Sequence, residues 1–91
     1  MTSPGQMAEL LHQWIGLDLL RREYRENPDN PKVSQVRTAM EAALSEWSDE
    51  QAADFIIKLL LEPPASTEVQ SKSPAELRQM LDKLYHILFD V

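Results

Sequence analysis

Two residue pairs in this 91-residue sequence have the types and spacing of metal chemistry. Glu9-Leu10-Leu11-His12 sets a carboxylate and an imidazole one helical turn apart, and Asp82 with His86 does the same at the four-residue spacing. Di-iron carboxylate bundles combine two Glu-x-x-His motifs with two further glutamates that point inward. Here there is one such motif, and the second and third helical segments carry no additional inward glutamate. Both pairs fall on the polar sides of their segments, so they read as surface residues and neither a metal nor another cofactor is expected. The chain has no cysteine, which removes thiolate ligands, thiol nucleophiles and disulfides together. Its serines concentrate at helix starts and in one polar stretch, where capping accounts for them. No Gly-rich phosphate loop, GxSxG elbow or HExxH is present. A non-enzymatic protein is the reading that follows.

Charge narrows the partners. A formal net charge of −6 disfavours binding to a phosphate backbone, which depends on clustered Lys and Arg releasing counterions. Six acids (Glu41, Glu46, Asp49, Glu50, Asp54 and Glu62) face a single base, Lys58, between positions 41 and 62. That region favours a basic partner surface over an acidic one, or serves only to keep the protein solvated. The start, "MTSPGQMAELLHQW", has neither a basic region ahead of an apolar core nor a small-residue cleavage site, so it does not read as a signal peptide. The longest apolar stretch, Phe55 to Leu61, is interrupted by Lys58 and falls well short of the roughly 20 residues that cross a bilayer. No membrane and no nucleic acid is expected, and a cytoplasmic setting fits the absence of cysteine.

The elements that would position any site are set out by proline. Six prolines cut the chain into segments without internal proline. The expected fold is all-α: a compact four-helix bundle-like single domain over 1–91, with helices at about 5–26, 31–47, 49–62 and 74–90 and a polar connector at about 63–73. Asn27-Pro28 stops the first helix, and Arg21, Arg22 and Arg25 in its last turns complement its dipole. Asn30 caps the second, with Pro31 at the first helical position. Ser48-Asp49-Glu50-Gln51 and Ser73-Pro74-Ala75-Glu76 read as capping boxes. Pro63-Pro64 ends the third helix.

Apolar patterning divides the helices into two kinds. Segments 31–47 and 74–90 have single apolar stripes and read as outer helices of a bundle. Segments 5–26 and 49–62 have more apolar surface than one stripe needs. In the first, Leu11, Ile15 and Leu19 form a face displaced from Leu10, Trp14, Leu17, Leu20 and Tyr24; in the second, Ile57 and Leu61 sit behind the core stripe beside Glu50 and Asp54. Gly16, inside the first helix, costs about 1 kcal/mol relative to alanine, and close approach to Ala39, Ala42 and Ala43 is the expected compensation.

The surplus faces leave two readings open: a core completed internally, or an exposed apolar patch rimmed by acids that marks a protein interface. The interface candidates are Leu11, Ile15, Leu19, Ile57 and Leu61, and the charged docking candidates are Arg21, Arg22, Arg25, Glu50 and Asp54. The functional expectation is a small protein–protein interaction module, an adaptor, assembly factor or regulator, whose partner is another protein or a second copy of itself. The alternatives are an obligate homodimer whose extra faces are only core, and a metal- or small-ligand-binding helical bundle. In the homodimer version the Arg21, Arg22 and Arg25 cluster docks on the acidic 41–62 region of the second copy.

Overall fold

The computed structural model describes residues 2–61 and 65–89, and these are all-α, with six helices and no strand among them. The helices are α1 (Pro4–His12), α2 (Leu17–Glu26), α3 (Pro31–Glu46), α4 (Asp49–Leu59), α5 (Ala65–Gln70) and α6 (Pro74–Phe89). Local chemistry explains most of the starts. Ser3 and Ser48 each accept from the amide three residues on, while Gln6 and Gln51 reach back to the cap amides, completing two capping boxes. Asn30 accepts from the Lys32 amide at 3.0 Å and Pro31 opens α3. At α6, Ser73 Oγ accepts from the Glu76 amide at 3.3 Å, and the Glu76 carboxylate meets the Ser73 hydroxyl rather than its amide.

Three expectations are corrected. The single helix over 5–26 is two helices, with a break at residues 13–16 and Gly16 as the N-cap of α2 at φ −175° and ψ 156°. That backbone is extended, so the glycine sits outside the helix instead of within it. Nothing lies within 4 Å of where its Cβ would be, which removes the expected contact with Ala39, Ala42 and Ala43. The connector at 63–73 contains α5, whose Val69 is buried against the core. One apolar side chain is enough to dock a short helix that propensity alone would not form. The helix expected over 49–62 ends at Leu59, with Leu60 as a non-helical C-cap ahead of the prolines; Pro63-Pro64 and the last residues, Asp90 and Val91, lie outside the described residues.

The third correction concerns which helix is central. α6 packs on α4, α2 and α3, so it is an inner element and not an outer one. Leu77, Leu81, Tyr85, Leu88 and Phe89 are all buried on it. They join Met7, Leu11, Leu20, Val33, Val36, Met40, Trp47, Phe55 and Ile56 in one core, and no polar or charged residue is buried among the described residues. Tyr24 meets the Phe89 ring edge-on at 5.1 Å, and Trp47 lies 5.8 Å from Phe55.

Candidate functional site

An apolar groove of about 230 Å³ opens where α2, α4 and α6 meet. Leu17 supplies one wall from the first turn of α2, Ile56, Leu59 and Leu60 a second from the end of α4, and Met80, Leu84 and Ile87 a third from one stripe of α6. Lys83 is the single charged lining residue among the described residues. The α6 residues share this wall because 80, 83, 84 and 87 recur at helical spacing. Leu59 and Leu60 can reach it because α4 ends there, and His12 closes that end: its Nε2 donates to the Leu59 carbonyl at 3.2 Å. The carbonyl only accepts, so this nitrogen carries the hydrogen.

The groove is bordered by unusual apolar exposure. Among the described residues the exposed large apolar side chains are Ile15 (97%), Leu61 (67%), Ile87 (57%), Leu19 (39%) and Ile57 (39%). Ile87 lines the groove, Leu61 follows its lining residue Leu60, and Ile15 is two residues from Leu17. Four of the five interface candidates, Ile15, Leu19, Ile57 and Leu61, are therefore surface residues. Leu11 is not: at 2% exposure it is a core residue of α1, because the break at 13–16 lets α1 turn that face inward independently of α2.

The charged candidates lie further out. Arg22 and Arg25 are exposed on α2 and Arg21 is half-buried. Glu50 is exposed near the start of α4, and Asp54 accepts from Lys58 Nζ at 2.8 Å within the same helix. Among the described residues the acids thus do not line the groove itself, and Lys83 is the one charge that does.

The histidine pairs are not brought together. Glu9 is exposed and His12 is engaged with α4, while His86 lies 3.6 Å from Asp82 on the surface of α6. Among the described residues no three His, Asp or Glu side chains converge on one point. No helix among the described residues is long and apolar enough to cross a membrane.

Two polar clusters that sequence reasoning missed hold elements together. Arg78 of α6 donates through Nη1 to the Trp47 carbonyl and through Nη2 to the Leu44 carbonyl at 2.7 Å, and its Nε lies 3.7 Å from Asp49. It thereby closes the C-terminus of α3 and the corner into α4. On the far side, Tyr85 donates to Glu41 Oε1 at 2.8 Å, Arg37 donates to the same oxygen at 3.0 Å and to the Tyr24 hydroxyl at 2.7 Å. Arg37 also lies over the Tyr24 and Phe89 rings. The Tyr85 hydroxyl, and after it Arg37, hold the Glu41 carboxyl below its usual range; burial, and after it Glu41, push the Tyr85 phenol up. These groups bond to one another, so the arrangement ties α2, α3 and α6 together.

No protein-family model, curated protein or solved structure matches this chain.

Proposed function

We propose that this protein is a non-enzymatic interaction module, an adaptor, assembly factor or regulator, that receives the apolar face of an α-helix from a protein partner along the groove between α2, α4 and α6. The observation that supports this reading is the groove itself, with seven apolar lining residues, one lysine and, among the apolar lining, Ile87 at 57% exposure. Contiguous exposed apolar surface is costly to a soluble chain and marks an interaction site. A volume of about 230 Å³ lies below the roughly 300–1,000 Å³ of small-molecule pockets, and the groove offers no converging polar groups to orient a cofactor. A helix carrying apolar residues at i, i+3 or i+4, and i+7 fits such a surface. Absence of cysteine suits a reducing compartment, and we assign the module to the cytoplasm.

The test is a display selection from a random library of helix-forming peptides on sparsely immobilised protein. Peptides with an apolar stripe should enrich and bind the Ile87→Lys variant at least tenfold more weakly than the unaltered chain. Ile87 is 57% exposed, so this substitution leaves the fold intact. Failure of any sequence to enrich, or equal binding to both proteins, would sink the proposal.

A further inference from the structure

Of its ten residues α2 buries one, Leu20, where α1, α3, α4 and α6 each bury three to five. Six of the ten are charged: Asp18, Arg21, Arg22, Glu23, Arg25 and Glu26. Both ends are non-helical joints, residues 13–16 ahead of it and 27–30 behind. The first joint is unpacked where it meets α2, since Ile15 is 97% exposed and nothing lies within 4 Å of where a Cβ on Gly16 would be. A segment with few buried apolar residues between two such joints opens as a unit far more readily than the whole chain unfolds.

What holds α2 down is a short stripe. Leu17, Leu20 and Tyr24 stand at i, i+3 and i+7 on one side of the helix and pack against the core. Leu20 is completely buried, the Tyr24 ring meets Phe89 of α6 edge-on at 5.1 Å, and the Tyr24 hydroxyl accepts from Arg37 Nη1 of α3 at 2.7 Å. This is the spacing with which an amphipathic helix fills a groove on another protein. α2 thus lies on α6 and α3 as a bound helix would, and its Leu17 lines the groove together with Met80, Leu84 and Ile87 of α6.

The size of the groove points the same way. An apolar cavity of about 150 Å³ holds one benzene-sized group. At about 230 Å³ the groove seats one anchor of a docking helix and part of a second, not a stripe of three. More of the apolar side of α6 continues under α2, where Phe89 meets Tyr24.

We infer that α2 is a hinged lid over part of the partner's seat: Leu17, Leu20 and Tyr24 stand in for the partner's apolar stripe on α6, and a docking helix binds by displacing them. The lid is autoinhibitory. Affinity is reduced by the fraction of molecules whose lid is open, so a change that frees α2 tightens binding by the same factor. Such autoinhibition rests on the groove docking a partner's helix, and the test follows lid and docking separately.

Hydrogen exchange on the full chain, followed amide by amide by NMR under native conditions, reports the lid without any ligand. Amides of residues 21–26 should exchange through an opening roughly tenfold or more better populated than the one that exposes α4 and α6, and with little dependence on urea, because a local opening uncovers little surface. Tyr24→Phe removes the Arg37 bond and keeps the ring on Phe89, so it leaves the fold intact and should raise the α2 opening about tenfold. Helix-forming peptides enriched on the unaltered chain should then bind the Tyr24→Phe variant tighter by that same factor, to within about threefold. Residues 21–26 protected as strongly as α4 and α6 overturn the lid, and peptides that bind such a chain leave the docking surface standing. A lid that opens while peptide affinity ignores Tyr24→Phe, or falls with it, overturns the autoinhibition equally. If no peptide enriches, there is no seat for α2 to cover, and docking and autoinhibition fall together.

Discussion

Gly16 offers the sharpest check on how the first third of the chain is built. Two geometries make opposite predictions for the same pair of substitutions. At the N-cap of α2, with extended backbone and no contact within 4 Å of a Cβ, the position tolerates any side chain and rewards one that accepts a hydrogen bond. Gly16 makes no side-chain cap bond, so the first amides of α2 lack that partner. Asp at an N-cap is better than Gly by a few tenths of a kcal/mol and better than Ala by about 1 kcal/mol. The adjoining positive end of the helix dipole favours the carboxylate further. Stability should therefore fall in the order Gly16→Asp, unaltered chain, Gly16→Ala, with a spread of about 1 kcal/mol. In an uninterrupted helix over 5–26 the same position would be interior, alanine would gain about 1 kcal/mol over glycine, and aspartate would gain less. Urea unfolding at 25 °C followed by circular dichroism gives the order directly, and unchanged m-values keep the comparison valid. The spread corresponds to a change in Tm of about 4–8 °C for a chain of this size. Finding Gly16→Ala the most stable of the three would refute the break and everything argued from it.

Two further outcomes are expected. Arg78→Met should lower stability by about 2 kcal/mol, because two carbonyls lose a charged donor, and Arg78→Lys should recover little of it because a point charge cannot fork between Leu44 and Trp47; thermal unfolding within about 0.5 kcal/mol of the unaltered chain would show the corner is held by packing alone. Glu41 has a lower pKa folded than unfolded, so its contribution is present above its ordinary value of 4.5 and is lost as pH falls through the depressed value. Since the Tyr85 hydroxyl is the main cause, Tyr85→Phe should be less stable at pH 7 and should lose less on acidification from pH 6 to pH 3; parallel urea midpoints for the two proteins across that range would contradict the assignment.

Helix starts were legible where a few neighbouring residues decide them. Asn30-Pro31, Ser48 with Gln51, and Ser73 with Glu76 all mark observed boundaries, because capping is settled within four residues. The break at 13–16 was not legible because Leu10, Leu11, Trp14, Leu17 and Leu20 keep helical phase across it, and periodicity registers no interruption that preserves phase. Only Gly16 signalled it, and a glycine reads equally as a helix interior under close approach. The inner position of α6 was hidden for a related reason. Tyr85 and Phe89 lie off the edge of its apolar stripe, and what buries them is Tyr24 and Phe89 stacking and the Glu41 bond, contacts made across the fold. The groove was beyond sequence altogether, since Leu17, Leu60 and Lys83 come from three elements and meet only through packing. The exposure of Ile57 was accessible, because it follows from period within one helix, whereas Leu61 is exposed beyond the end of α4.

The break also explains why the surplus apolar residues of the first segment serve two ends. On one continuous helix, Leu11, Ile15 and Leu19 would share a direction, and burying one would bury all three. Separating α1 from α2 frees their rotations: Leu11 enters the core, with α1 packed on α4, while Ile15 and Leu19 remain in solvent. The same step brings Leu17, at the start of α2, to the end of α4 and to Ile87 of α6 in the groove, while Tyr24 further along α2 packs on Phe89. The four residues that interrupt the helix thus divide one apolar series between the core and the surface.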